Sequence, residues 1–167
     1  LPFLKDWFDH LARSLSPLDL ACILGALLVI RVSRYAGMWI YALIGLPGTL
    51  AHELAHFLMA FVLGARPVLP RVIPKRSGRG WLLGSVPFRA GYPRRLPIAL
   101  APLALAPLAL WWAGTFLHSA VWPMYGVHVW IVAALVTASL PSTTDLKLAL
   151  PALVAVAVIV LGVFIFR

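Results

Sequence analysis

Polar residues punctuate this chain at wide intervals. Apolar runs occupy positions 15–32, 36–64, 98–117, 127–140 and 148–166, with short polar or basic breaks between them. Uninterrupted apolar stretches of roughly 17–25 residues match the thickness of a bilayer's hydrocarbon core. The pattern therefore predicts an all-α polytopic membrane protein, a single domain over 1–167 with about five transmembrane helices. Ahead of the first run, Leu4, Trp7, Phe8, Leu11 and Leu15 recur at helical spacing, while Lys5, Asp6, Asp9 and Arg13 fall elsewhere. That spacing predicts an amphipathic helix over 1–16 lying on the membrane surface. The 36–64 run is long for one crossing: a straight helix of that length reaches about 43 Å, against a core of about 30 Å. Pro47-Gly48 sits in its middle, and one tilted, kinked helix is the expected form; a re-entrant half-helix followed by a short helix from Thr49 is the alternative.

Composition agrees with the pattern. Hydrophobic residues make up 62% of the chain and mean hydropathy is +0.96, whereas soluble domains are about half apolar. Asn and Gln are absent, and the lone Cys22 lies in an apolar run, so no disulfide framework exists. The net charge of +9 is concentrated: eight of the 14 Lys and Arg lie between positions 66 and 95, with no acidic residue among them. In water such a cluster would suggest nucleic acid. Between membrane spans it reads instead as a loop, 65–97, held on the cytoplasmic side beside anionic lipid, and no nucleic-acid partner is expected. Within it "PVLPRVI" and "WLLGSVPF" flank the turn-like "PKRSGRG", which suggests a small β-hairpin despite the prolines. With this loop cytoplasmic, the 36–64 run ends on that side and "PSTTDLK" returns to it. His56 and Asp145 then share a face, and His118 and His128 lie toward the other.

Against this background "HELAH" is costly. An ionisable side chain at mid-membrane costs roughly 2.5–3.5 kcal/mol on insertion scales, so its presence points to function. Residues four apart share a helix face, so His52 and His56 present two imidazoles to one point, as a zinc site requires. Glu53 is one step round, within reach of a water that such an ion would activate. A catalytic zinc takes a third protein ligand. The longer HExxHxxGxxH pattern fails, because Met59 and Val62 stand at its glycine and third-histidine positions. Glu53 is the only Glu, and Asp145 is the only carboxylate side chain after it. Asp145 is thus the expected third ligand, with an N-terminal cap of the last helix, within "PSTTD", as its competing role. Asp19 is a more distant candidate; His118 and His128 read as interfacial histidines near Trp122 and Trp130.

The stretch "HELAHFLMAFVLGARP" in an apolar helix resembles the site-2 protease family of intramembrane zinc metalloproteases. The resemblance covers about twenty residues, and beyond them only the order of spans. It implies hydrolysis of peptide bonds in membrane-anchored substrates, with Zn2+ as cofactor, His52 and His56 as ligands, Glu53 as general base, and an aspartate from a later helix, here Asp145, as third ligand. The family often has Gly after that aspartate and an Asn nearby; Leu146 follows Asp145 here, and the chain has no Asn. Proteolysis also needs water and an extended substrate. Ser142, Thr143 and Thr144 are candidates for lining a polar inlet. Trp81, Leu82, Leu83, Gly84, Ser85 and Val86 form the candidate edge for strand addition. The expected location is a bacterial or archaeal plasma membrane, with the active site toward the cytoplasm. The competing reading is a catalytically silent, metalloprotease-like subunit that binds or regulates a membrane partner.

Overall fold

The computed structural model describes residues 15–77 and 80–165. Nearly all of the amphipathic segment expected over 1–16 lies outside them. The chain is mostly helical: α1 (Pro17–Ala36), α2 (Met38–Ile44), α3 (Leu46–Val62), α4 (Tyr92–Leu100), a 3-10 turn (Ala101–Ala104), α5 (Leu105–Phe116), α6 (Met124–Ala138) and α7 (Thr143–Ile165). A hairpin, β1 (Lys75–Ser77) with β2 (Gly80–Leu82), lies between α3 and α4.

The path from α4 through α5, Pro93–Phe116, and helix α7 are long and apolar enough to cross a membrane, by length and composition. At about 1.5 Å per residue they reach roughly 35 Å, beyond a 30 Å core. Helix α7 buries only Asp145 and Ala149 among its described residues. Val154, Val158, Leu161 and Phe164 are exposed along it. An apolar surface of that extent is what a lipid-facing helix presents. Helix α6 is apolar but has 15 residues.

The 36–64 run divides differently from expectation. Gly37, at φ 124°, ends α1 in a conformation that disfavours a side chain. The next break falls at Gly45, ahead of Pro47-Gly48. Pro47 then occupies the first turn of α3, where its missing N–H removes no hydrogen bond. Gly45 donates to Tyr41 O and Thr49 donates to Gly45 O, so the hydrogen-bonded path continues through a corner. Gly48 has a packing role instead: a Cβ there would stand 2.5 Å from the Ala134 carbonyl oxygen, so its absence lets α3 lie directly on α6. At the other end, Ala65 N–H binds Ala60 O and Gly64 N–H binds Phe61 O, with Gly64 at φ 66°. This Schellman closure stops α3 where the basic loop begins.

Helix α6 is the centre of the bundle, packing on α1, α3 and α5. Its Val129, Val132, Ala133, Ala134 and Leu135 are buried. They meet Ile23 and Ile30 of α1, and Leu105, Ala109 and Ala113 of α5. Small residues at these contacts bring helix backbones close, the usual means of packing in lipid. Trp130 Nε1 donates to Ile44 O at 2.8 Å, satisfying a carbonyl at the end of α2.

The loop forms a narrow antiparallel ladder. Lys75 pairs with Leu82 and Arg76 with Trp81. Arg71 and Ser85 exchange both backbone hydrogen bonds, and Val68 N–H binds Pro87 O. The pairing thus runs from "PVLPRVI" to "WLLGSVPF", although its regular strands lie closer to the turn than those stretches. The loop folds back toward α3, which brings Gly84 to the site.

Candidate metal centre

His52 and His56 stand one turn apart on α3, and α7 supplies Asp145 from its first turn. The His52 and His56 Nε2 atoms are 3.2 Å apart. His52 Nε2 lies 3.3 Å from Asp145 Oδ2, and His56 Nε2 lies 3.1 Å from Asp145 Oδ1. His56 and Asp145 are buried, and His52 is half-buried.

The outer nitrogens fix the protonation pattern. His52 Nδ1 lies 2.7 Å from Ala138 O, and His56 Nδ1 lies 2.7 Å from Ile98 O. A carbonyl oxygen only accepts, so each Nδ1 is the donor. In a neutral imidazole the inward-facing Nε2 is then bare. With both imidazoles neutral, two nitrogen lone pairs and a carboxylate face one another. A cation resolves that repulsion. For a tetrahedral ion with ligands at about 2.0–2.2 Å, the ligand atoms stand about 3.3–3.6 Å apart, close to the separations found. The residues fit a divalent metal, and the Nδ1 bonds are the outer-shell contacts that orient such ligands.

Both outer carbonyls are available for a local reason. Ile98 O would normally accept from the residue four later, which is Pro102 and has no N–H. Ala101 N–H takes a shorter bond to Ile98 O, leaving its second lone pair for His56. Ala138 is the last residue of α6, where carbonyls lack helical partners. The signal at Ile98 was present in "IALAP"; a backbone acceptor at a helix end leaves no sequence mark.

Asp145 makes the helix cap, and its carboxylate is at the same time placed where a ligand would be. Ser142 N–H donates to Asp145 Oδ2 at 2.7 Å, and Asp145 N–H donates to Ser142 Oγ at 3.2 Å. This reciprocal cap opens α7 and holds the carboxylate, and its oxygens still face the histidines. Asp19 is engaged elsewhere: Ser16 N–H and Oγ–H donate to its Oδ2, and Tyr125 O–H donates to its Oδ1 at 2.7 Å. His128 accepts from Trp112 Nε1 and stacks on Phe116; its aromatic neighbours differ from the Trp122 and Trp130 expected.

Glu53 is buried beside the pair and makes no hydrogen bond among the described residues. Gly84 lies against it: a Cβ at Gly84 would stand 2.6 Å from Glu53 Cγ and 2.7 Å from Cδ. A side chain at position 84 would have to push the Glu53 carboxylate aside. Glu53, the three candidate ligands and this loop bound one cleft of about 510 Å³. Of the residues expected at a substrate edge or inlet, Trp81, Leu83, Gly84, Ser85, Val86, Ser142, Thr143 and Thr144 line it. Leu82 belongs to β2 and pairs with Lys75. Ile30, Tyr41, Thr49 and Thr137, which sequence reasoning did not single out, extend the cleft toward α1 and α2.

No protein-family model matches the chain, and searches of curated proteins and of solved structures find no match either. The helical chain with candidate membrane helices and a His-His-Asp metal-type cluster is thus defined by its own geometry.

Proposed function

We propose that the protein is an intramembrane zinc metalloprotease that hydrolyses peptide bonds of membrane-anchored substrates. The observation that carries this reading is the convergence of His52 Nε2, His56 Nε2 and the Asp145 carboxylate within about 3.3 Å of one another, with Glu53 lining the same cleft beside them. His52, His56 and Asp145 would hold the ion. Zn2+ bound there supplies Lewis acidity, acidifying water and polarising a carbonyl. Glu53, one residue from His52 and without a hydrogen bond among the described residues, accepts a proton from water and returns it to the leaving amine. The loop crossing Glu53 at Gly84 narrows the cleft, and its 81–86 segment offers an extended backbone against which a substrate strand can lie. Ser142, Thr143 and Thr144 form the polar side by which water enters.

The membrane setting belongs to the same proposal. Helix α1, the corner formed by α2 and α3, and the shorter α6 join the two long apolar paths to give five crossings, with the basic 65–97 loop and the metal site toward the cytoplasm.

The test uses the full chain reconstituted in lipid with a panel of single-span membrane proteins. New peptide termini and bound zinc are measured for wild type and Glu53→Gln. The expected outcome is cleavage by wild type, a loss of about 10²–10⁴-fold in the variant, and equal zinc in both. Zinc retained by both, with no new termini from either, would leave the catalytically silent membrane subunit as the better reading.

A further inference from the structure

A second concavity lies outside the metal cluster. It is an open recess of about 790 Å³ bounded by Phe88, Arg89, Gly91, Arg95 and Leu148. Arg95 Nε donates to Ala90 O at 3.1 Å, which fixes its stem at the recess wall. Arg89 is anchored through its backbone N–H to Ala65 O and has an exposed side chain. Among the described residues, no acidic one lines the recess. One wall is therefore cationic, and Phe88 and Leu148 make the other apolar.

Its depth in the fold is informative. The two helical paths long enough to cross a membrane begin at Pro93 and Thr143, and the recess lies between those beginnings. Further along α7 on the face of Leu148, Pro151, Ala155 and Ile159 are exposed. Cationic groups above a continuous apolar track, at the end of a membrane span, reproduce the chemistry of a phospholipid at the headgroup boundary. A free phosphate would use the arginines and leave the apolar wall without a partner.

We infer that this recess binds an anionic phospholipid, with its phosphate between Arg89 and Arg95 and an acyl chain along Phe88, Leu148 and the outer face of α7. The inference rests on the membrane placement of the proposed function and is independent of proteolysis. Val86, Phe88 and Leu148 border both this recess and the metal-site cleft, so a bound lipid becomes part of the cleft's outer wall.

Retention of lipid by the purified full chain tests this without any turnover. The protein is equilibrated with equal amounts of phosphatidylglycerol and phosphatidylcholine, and bound lipid is counted by native mass spectrometry. Preference for phosphatidylglycerol of at least about fivefold is expected, given about 1 kcal/mol per arginine near an anionic surface. Arg89→Gln abolishes that preference, Arg89→Lys keeps most of it, and Arg71→Gln, in the same loop outside the recess, leaves it unchanged. Leu148→Trp fills the recess without altering charge and lowers retention, which keeps the test decisive if Arg89→Gln folds poorly. Equal retention of the two lipids overturns the proposal, as does an equal effect of Arg89→Gln and Arg71→Gln. Displacement of the lipid by an equimolar amount of inorganic phosphate also overturns it, identifying a phosphate site instead.

Discussion

The same four-residue device opens the first and the last described helices. Ser16-Pro17-Leu18-Asp19 caps α1, and Ser142-Thr143-Thr144-Asp145 caps α7. In each, a serine and an aspartate exchange hydrogen bonds across a helical turn, and in each the aspartate is buried. The difference lies in what meets the remaining oxygen. Asp19 Oδ1 accepts a hydrogen bond from Tyr125 O–H, so donors complete its environment. Asp145 Oδ1 meets Nε2 of His56, and Oδ2 meets Nε2 of His52. Local sequence builds the same kind of cap twice; tertiary partners complete one with a hydroxyl donor and set two imidazoles against the other. A buried carboxylate is thus no sign of a metal until the protons around it are counted.

The sharpest way to break this comparison is to delete each acid and measure metal. Asp145→Ala should weaken zinc binding beyond the roughly 10–100-fold that loss of an outer-shell contact typically causes. Asp19→Ala should leave zinc affinity within about threefold of wild type. Competition against a chelator of known affinity reads both. Chelation gives the companion result. An ion present at about a thousand times its dissociation constant stabilises the folded state by about 4 kcal/mol. Stripping zinc should therefore lower the midpoint of unfolding in wild type and in Asp19→Ala, and leave Asp145→Ala unmoved. Equal zinc affinities in the two alanine variants would erase the distinction between the two caps.

These contrasts also mark how much was legible beforehand. The placement of His52, Glu53 and His56 follows from helical periodicity alone, and Asp145 follows from the scarcity of carboxylates in the chain. Cap and ligand looked like alternatives because sequence assigns a side chain one partner at a time. A carboxylate with two oxygens accommodates both. The helix corner at Gly45 was placed a few residues late, since Pro47 reads as a breaker in a long apolar run but suits a helix's first turn. The bond from Tyr125 to Asp19 joins residues 106 apart, and the approach of Gly84 to Glu53 depends on a loop folding back. Neither has a periodicity that a sequence reading could detect. The number of membrane crossings likewise depends on helices such as α6, whose 15 residues fall short of a full span by length alone.

A smaller effect sharpens the structural half of the comparison. Tyr125→Phe removes the hydroxyl that completes Asp19, along with the bond that ties α6 to the start of α1. Polar contacts between membrane helices average about 0.6 kcal/mol and reach about 1.7. A buried acceptor left without its donor should place this substitution toward the upper end. Reversible unfolding in mixed micelles measures the loss, and zinc affinity should not change with it. A fall in zinc affinity would mean that the two ends of the bundle are coupled through α6.

The two serines give the finest discrimination, because their removal is chemically identical. Ser16→Ala and Ser142→Ala each delete a capping hydroxyl, and each should destabilise by about 1 kcal/mol. Stability alone would call the two sites equivalent. Metal affinity should separate them. Without Ser142 Oγ the start of α7 loses one half of its cap, and the Ser142 N–H that steadies Asp145 Oδ2 is less firmly placed. A ligand that must be oriented anew on binding loses affinity, by about 10-fold if Ser142 acts as other outer-shell groups do. Ser16 supports an acid that meets no imidazole, so its removal should leave zinc binding as it was. An equal and negligible change in both variants would show that the backbone of α7, without help from the serine hydroxyl, positions Asp145.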